Sequence, residues 1–153
     1  MIITAEFSSV HISHTELYQM GQPSVARYPL HWHVCGDIGP DRYEDPSTFE
    51  FNSIHESYSR WVTVHATNNA QVIGNVGYIS RGHGYFIEDG DERGTVFRDN
   101  LGMNVYQGVI LPTDKVRYHW KSSDVNKISV SLLKVILEYR VVYKCAGKLR
   151  RYG

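Results

Sequence analysis

Short runs of alternating apolar and polar residues, separated by turn-forming residues, fill the first 114 positions of the chain. The runs are rich in β-branched and aromatic residues, and Gly, Asn, Asp or Pro stands in the gaps. They span residues 10–20, 30–34, 49–58, 61–65, 72–79, 85–88 and 95–106. The pattern predicts β-strands, because no segment before residue 114 has the period of an amphipathic helix.

A motif of one apolar residue, two variable residues and an asparagine recurs along these strands. It ends at Asn52, Asn75 and Asn100, which are 23 and 25 residues apart, and Val10–Ser13 is a weaker copy. Periods of this size are typical of stacked coils, since each repeat buries its apolar side only against its neighbours. We therefore predict an all-β fold, a right-handed parallel β-helix of few coils. The asparagines would form an inward ladder that satisfies backbone groups at the turns; the alternative is three unrelated turn asparagines.

The residues after position 114 differ in kind from those before it. Residues 1–114 carry 14 acidic and 6 basic side chains, a net charge of −8, whereas residues 115–153 carry 2 acidic and 10 basic ones, a net charge of +8. We predict a β-helix fragment over 1–114 and a divergent basic tail over 115–153. Apolar residues in 129–143 recur at the spacing of an amphipathic helix, and the β-branched residues among them leave a capping strand as the alternative. The basic residues are dispersed, which favours a tail that packs against the acidic body or is solvated over one that binds nucleic acid or a membrane.

Composition excludes several classes of protein. Two cysteines are too few for a disulfide framework, and neither a phosphate-binding loop nor a paired CxxC motif is present. No apolar run reaches membrane-spanning length, and the N-terminus lacks the form of a signal peptide. A role outside the cell would therefore require a targeting segment beyond this chain, and any membrane attachment would come from a larger parent protein.

Several motifs, taken in order, resemble one known family. Residues 27–33 read Arg-Tyr-Pro-Leu-His-Trp-His, and they are followed by Ser-Ile-His at 53–55, Val-Thr-Val-His at 62–65, Gly-His at 82–83, Glu-Asp-Gly at 88–90 and Leu-Pro-Thr-Asp at 111–114. This order resembles the β-helix region of the cell-surface and secreted hyaluronidase family, which includes the cell migration-inducing and hyaluronan-binding protein and transmembrane protein 2. Fibrocystin-like proteins share a related region. The resemblance covers roughly residues 2–114.

The resemblance implies a fragment of a cell-surface or extracellular protein that binds hyaluronan, or another acidic polysaccharide, and depolymerises it. The alternatives are a carbohydrate-binding or adhesion module without chemistry, and an inactive truncated fragment. The chain departs from the family pattern at Glu56, where the family has a second histidine, and at Ala66, where it has glycine. No resemblance extends beyond Asp114. We therefore expect this chain alone to have little hydrolase activity.

Strand alternation and the asparagine register together predict two outward columns of polar groups. In residues 30–33, Leu30 and Trp32 share one face and the two histidines the other. His65 and Glu88 each lie 13 residues after a ladder asparagine, which aligns them across adjacent coils. One column would contain His33, His65 and Glu88, with Asp89 beside it. The other would contain His31, Thr63 and Phe86.

Such columns suit either an acidic sugar or a metal ion, with a solvated polar ladder as the purely structural alternative. Adjacent coils lie roughly 4.8 Å apart, so neighbouring imidazoles and carboxylates can converge on one ion. The metal candidates are His33, His65 and Glu88, for a divalent ion such as Ca or Zn. An exposed Phe86 or Trp61 would stack on a sugar ring. The ligand-binding candidates are His31, His33, Thr63, His65, His83 and Phe86, and the carboxyl candidates for glycoside hydrolysis are Glu88 and Asp89.

Overall fold

A computed structural model describes residues 1–23 and 27–108 in full, together with the backbone of residues 142–145 and 148–149. The described residues form short strands and no helix, and so none of their elements is a helix able to cross a membrane. The strands are β1 (Ile2–Ile3), β2 (His11–Ser13), β3 (Glu16–Tyr18), β4 (Leu30–Asp37), β5 (Thr48–Glu50), β6 (Ser53–His55), β7 (Val62–Asn68), β8 (Gln71–Ile73), β9 (Val76–Arg81), β10 (Tyr85–Ile87), β11 (Val96–Arg98), β12 (Leu101–Tyr106), β13 (Val142–Cys145) and β14 (Lys148–Leu149).

The chain winds through three sheets in turn, one strand to each sheet per coil. Sheet 1 has the order β1-β4-β7-β10, sheet 2 the order β2-β5-β8-β11, and sheet 3 the order β3-β6-β9-β12-β13-β14. Every pairing is parallel except that of β13 with β14. This topology confirms the predicted right-handed parallel β-helix, the hand that connections between parallel strands take almost without exception.

The predicted tail structure falls mostly outside the described residues. The boundary at residue 114 lies there, as does the choice between a helix and a capping strand over 129–143, apart from the backbone of β13, which begins at Val142. That backbone pairs in parallel with β12 and so extends sheet 3.

Apolar side chains from the three sheets fill the interior of the coils. Leu30 and Trp32 of β4 and the two valines of β7 are fully buried, as alternation predicts. The Trp32 ring stacks on Phe49 of sheet 2, with their ring centroids 4.4 Å apart. Burying side chains of this size contributes roughly 1.5–3 kcal/mol each. The outer residues of the same strands, described below, are therefore held in fixed positions.

The asparagine ladder stands at the corner between sheets 2 and 3 in three successive coils, and Thr15 takes the equivalent position in the first coil. Asn52, Asn75 and Asn100 are all buried. The Asn52 amide nitrogen Nδ2 donates to Asn75 Oδ1 over 2.9 Å, and Asn75 Nδ2 donates to Asn100 Oδ1 over 2.9 Å. The same oxygens accept backbone N–H groups, from Asn52 over 3.1 Å and from Asn75 over 2.9 Å. The predicted inward ladder is therefore present.

Each ladder residue follows a backbone bend of the same shape. Phe51, Gly74 and Asp99, which precede the three asparagines, have φ values of 54°, 62° and 57°. This left-handed conformation costs a residue with a side chain roughly 1–2 kcal/mol. The hydrogen bonds of the asparagine side chains offset that cost, because they pair backbone groups that the bend turns into the interior.

The ladder generates a stability prediction. Asn75→Ala removes the three buried hydrogen bonds that its side chain makes with Asn52 and Asn100, and it leaves the Phe49 carbonyl without its 2.9 Å donor. Each buried polar group left unpaired costs about 1–3 kcal/mol, so we expect a loss of at least about 3 kcal/mol in the free energy of unfolding.

Urea unfolding followed by circular dichroism measures the change. The matched control is Gln71→Ala, because the Gln71 amide is partly exposed and makes one 3.3 Å bond, to the Asn69 carbonyl. A surface change of this kind should cost roughly 0.5 kcal/mol. Equal losses for the two variants would contradict the ladder's stabilising role.

Candidate functional site

The predicted site residues lie on the outward side of sheet 1, on strands β4, β7 and β10 or in the turns on either side of β10. His31 pairs in register with Thr63, and His33 with His65. Phe86 pairs with Thr63 from the other side of β7. The Glu88 backbone N–H donates to the Val64 carbonyl over 2.9 Å, so the chain continues beside His65 after β10 ends. In the structure Glu88 therefore stands beside His65, as their equal 13-residue offsets from the ladder asparagines predict.

Three histidine rings form a cluster at the centre of this surface. The ring centroids of His31 and His33 are 4.9 Å apart, and so are those of His33 and His65. The Nδ1 atoms of His33 and His65 lie 3.1 Å apart, a hydrogen-bonding distance. One nitrogen from each of the three rings lies within 4.8 Å of the other two. His33 and His65 are partly exposed, whereas His31 is not.

His31 is the unusual member of the cluster. Its side chain is 1% exposed, and within the described part of the chain neither of its ring nitrogens has a hydrogen-bond partner. Burial is the main cause that lowers its pKa from the ordinary 6.5 to about 3, and the nearby charges of His33, His65 and Arg60 act in the same direction. His31 is therefore a neutral imidazole near neutral pH, so one of its two ring nitrogens is a donor and the other can accept a bond.

Glu88 is engaged with an arginine rather than with the histidines. Its Oε2 lies 3.1 Å from the Arg60 guanidinium, and both side chains are largely buried. The guanidinium also lies over two rings, 3.7 Å from the centroid of Phe86 and 4.5 Å from that of Tyr28. Among the described residues, the histidine grouping with metal-ligand spacing is His31, His33 and His65, and it does not include Glu88.

Asp89 is the carboxylate that faces the histidine cluster. Its Oδ2 lies 3.4 Å from His65 Nε2 and accepts the Ala66 backbone N–H over 3.2 Å. Asp89 also belongs to an acidic group with Asp91 and Glu92. The buried Glu92 carboxylate, however, already accepts backbone N–H groups from Ala66, Asp89 and Gly90. The acidic group therefore has a structural role, because Glu92 holds the loop after β10 through these hydrogen bonds.

The expectation that Phe86 or Trp61 would be exposed for sugar stacking is wrong. Trp61 is fully buried and Phe86 is 6% exposed. Trp61 packs inside the coils, where a Cβ added at Gly77 or Gly84 would collide with its ring. Phe86 does point outward, but Arg60 covers it.

Three further ligand-binding candidates are also buried, namely His31, Thr63 and His83. The cover comes from residues outside the strands: the Tyr28 ring lies 4.8 Å from that of His31, and the His83 ring lies 4.5 Å from that of Phe86. Alternation correctly gives the side of the sheet to which a residue belongs, but not what covers that side. Of the predicted ligand-binding set, His33 and His65 are the members that reach solvent.

Sequence reasoning missed an exposed column of rings on sheet 3. Tyr18 pairs in register with His55, and His55 with Tyr78. The ring centroids of Tyr18 and His55 are 5.0 Å apart, and both tyrosines are more than 40% exposed. His55 Nε2 is fixed by Glu16 Oε1 at 2.9 Å. The available signal was the 23-residue offset from His55 to Tyr78, which equals that from Asn52 to Asn75.

Comparison with known proteins places the whole surface within one family match. The family model described as CEMIP beta-helix matches residues 1–134. The chain is 48% identical over 115 residues to a cell surface hyaluronidase of Danio rerio, covering 74% of this chain and 8% of that protein. It is 43% identical over 110 residues to the human cell migration-inducing and hyaluronan-binding protein, covering 71% of this chain and 8% of that protein. Mouse fibrocystin-L is 35% identical over 113 residues, 73% of this chain and 2% of that protein.

The buried neutral His31 generates a pH prediction. Because its pKa falls from 6.5 to about 3 on folding, the unfolded chain binds a proton below pH 6.5 that the folded chain does not. The contribution of His31 to stability is therefore fully present above pH 6.5 and is lost as the pH falls toward 3. The expected slope is up to about 1.4 kcal/mol per pH unit within that window.

Unfolding of wild type and His31→Gln in metal-free buffer, between about pH 4 and about pH 7, isolates this slope. The other titrating groups are common to both proteins, so they cancel in the difference. Wild type should lose stability more steeply on acidification. Parallel curves for the two proteins would mean that His31 accepts a proton in the folded state.

Proposed function

The chain belongs to the CEMIP β-helix family, and from that membership we propose that it forms part of a hyaluronan-binding surface of a cell-surface or extracellular protein. The observation that carries the proposal is the family match over 1–134, which contains both the histidine cluster and the ring column. Relatives that carry this region are named for hyaluronan binding or hyaluronidase activity at 42–48% identity. The chain spans about 8% of the length of those relatives.

Net charge does not supply the attraction for this ligand. Hyaluronan is a polyanion, and residues 1–114 carry a net charge of −8. The chain as a whole has a net charge of zero, and the acidic charge of residues 1–114 opposes the approach of hyaluronan to this region at low salt, so short-range contacts must supply the affinity there. The exposed rings of Tyr18 and Tyr78 and the partly exposed ring of His55 offer such contacts, because aromatic faces accept the C–H groups of a sugar ring without requiring charge. Successive rings on adjacent strands are spaced along the helix axis, as a linear polymer requires.

His33 and His65 are the second proposed contact. Both are partly exposed, and their imidazoles can donate to hydroxyl or carboxylate oxygens of the sugar. Behind them, the buried residues of the sheet fix their orientation rather than touch the ligand. Nucleic acid is not a proposed partner, and membrane association would come through the larger parent.

The local chemistry favours binding over hydrolysis in this part of the protein. Glycoside hydrolysis usually requires one protonated carboxyl group and a second carboxylate roughly 5–10 Å from it. The Glu88 carboxylate is held in a largely buried 3.1 Å ion pair with Arg60, so it is engaged with the protein and not presented to a ligand. Asp89 is open to solvent and remains the better candidate for a catalytic carboxyl group. The alternative function is an adhesion module without chemistry, and the Glu88–Arg60 pair supports it.

The proposal predicts binding of size-defined hyaluronan that depends on the ring column. We expect Tyr78→Ala to weaken binding about tenfold, which corresponds to about 1.4 kcal/mol. His65→Ala should weaken it as well. The matched control is Tyr106→Ala, since Tyr106 is similarly exposed but pairs in register with Arg81, outside the ring column. Calorimetric or fluorescence titration measures all four proteins.

The same samples should be assayed for depolymerisation beside a full-length relative. Binding with little or no cleavage by this chain would support the module without chemistry, whereas cleavage abolished by Asp89→Asn would support catalysis. The absence of hyaluronan binding in wild type would contradict the proposed function. Equal affinities for wild type and Tyr78→Ala would contradict the ring column as the contact.

A further inference from the structure

The histidine cluster has the spacing of a metal site. A tetrahedral ion with metal–nitrogen bonds of 2.0–2.1 Å holds its nitrogen ligands roughly 3.3–3.4 Å apart. The Nδ1 atoms of His33 and His65 are 3.1 Å apart, and one nitrogen from each of the three rings lies within 4.8 Å of one nitrogen from each of the other two. Small ring rotations would bring the three to the required distances. The backbone is fixed by the pairing of β4 with β7, so the cluster is largely preorganised.

A second and independent observation is the orphaned state of His31. An imidazole that is 1% exposed, with both nitrogens lacking a partner among the described residues, leaves polar atoms unpaired at a cost of roughly 1–3 kcal/mol. Its register partner Thr63 also has a buried hydroxyl without a partner in that part of the chain. A packing role alone would favour an apolar side chain at position 31, whereas a ligand role explains a neutral nitrogen facing the cluster.

A supporting carboxylate completes the arrangement. Metal-bound histidines commonly donate their other ring N–H to a carboxylate, which fixes the tautomer and the ring orientation. Asp89 Oδ2 lies 3.4 Å from His65 Nε2, on the far side of the ring from the Nδ1 atom that faces His33. This assigns Nδ1 of His65 to the ion and Nε2 to Asp89.

We propose that His31, His33 and His65 bind a single transition-metal ion, of which Zn(II) is the best fit, with Asp89 orienting His65. Three nitrogen ligands suit Zn(II), Cu(II), Ni(II) or Fe(II) and exclude Ca(II), which requires oxygen ligands. With three protein ligands, a fourth position stays open on the side where His33 and His65 reach solvent. This differs from the grouping expected from the sequence, because Glu88 is replaced by His31.

Metal titration of the whole chain tests the proposal without reference to hyaluronan. The protein is treated with chelator, desalted and titrated with Zn(II) alone by calorimetry. In a separate titration Co(II) is used in place of Zn(II), and its binding is followed by the visible ligand-field absorption of the bound ion. We expect one ion per chain, an absorption spectrum typical of tetrahedral nitrogen coordination, and a higher melting temperature with Zn(II), because the ion binds the folded state.

Variants at the partly exposed ligands separate a metal site from a structural cluster. His33→Ala and His65→Ala should each weaken Zn(II) binding at least 100-fold, and Asp89→Asn should weaken it about 10–100-fold, as for other supporting carboxylates. The matched control is His55→Ala, since His55 also pairs with a carboxylate but lies on sheet 3. Circular dichroism without metal checks that each variant folds.

Two outcomes would overturn the assignment. One is failure of the wild-type chain to bind one equivalent of Zn(II) or Co(II). The other is that His33→Ala or His65→Ala binds Zn(II) as tightly as wild type, whereas His55→Ala loses Zn(II) binding. Either result would leave the three histidines as a structural cluster.

Discussion

The fold depends on satisfying the backbone at the corner between sheets 2 and 3. A left-handed residue turns peptide groups toward the interior at each coil, where water cannot reach them. Asn52, Asn75 and Asn100 meet this requirement, because an amide offers donor and acceptor at once and so pairs with the coil on either side. The ladder thereby sets which residue of one coil stands beside which residue of the next, and every column on the outer surface inherits that register.

The outer columns show what stacking does to polar residues. When coils are only one strand spacing apart, side chains of equal register must contact one another, whatever their charge. Histidines tolerate this because one imidazole can donate to a nitrogen of the next, and the Nδ1 atoms of His33 and His65 lie 3.1 Å apart. The buried Arg60 performs a similar task for Glu88, since either charge alone would be costly to bury there.

The sequence carried the fold further than it carried the site. Period and alternation sufficed for the ladder, the β-helix and the pairing of His33 with His65, since these depend on backbone register alone. They did not suffice for Phe86, which lies on the expected side but under Arg60, because that cover comes from residues outside the strand pattern. Tyr18 escaped notice since the loop after β4 lengthens its offset to His55 to 37 residues. Register fixes the Cα position of Glu88 but not the direction of its side chain, which pairs with Arg60 and not with the histidines.

Electrostatics links the two proposals, although each stands on its own test. An acidic body repels a polyanion over the roughly 8–10 Å reach of charges in physiological salt. The proposed stacking on Tyr18 and Tyr78 would avoid that repulsion, because its contacts are uncharged. A cation bound by three neutral histidines would make the electrostatic potential positive at that site, because the ion adds positive charge to a site whose protein ligands carry none. A carboxylate of the polysaccharide is then a natural fourth ligand, and salt would weaken that contact more than it weakens stacking.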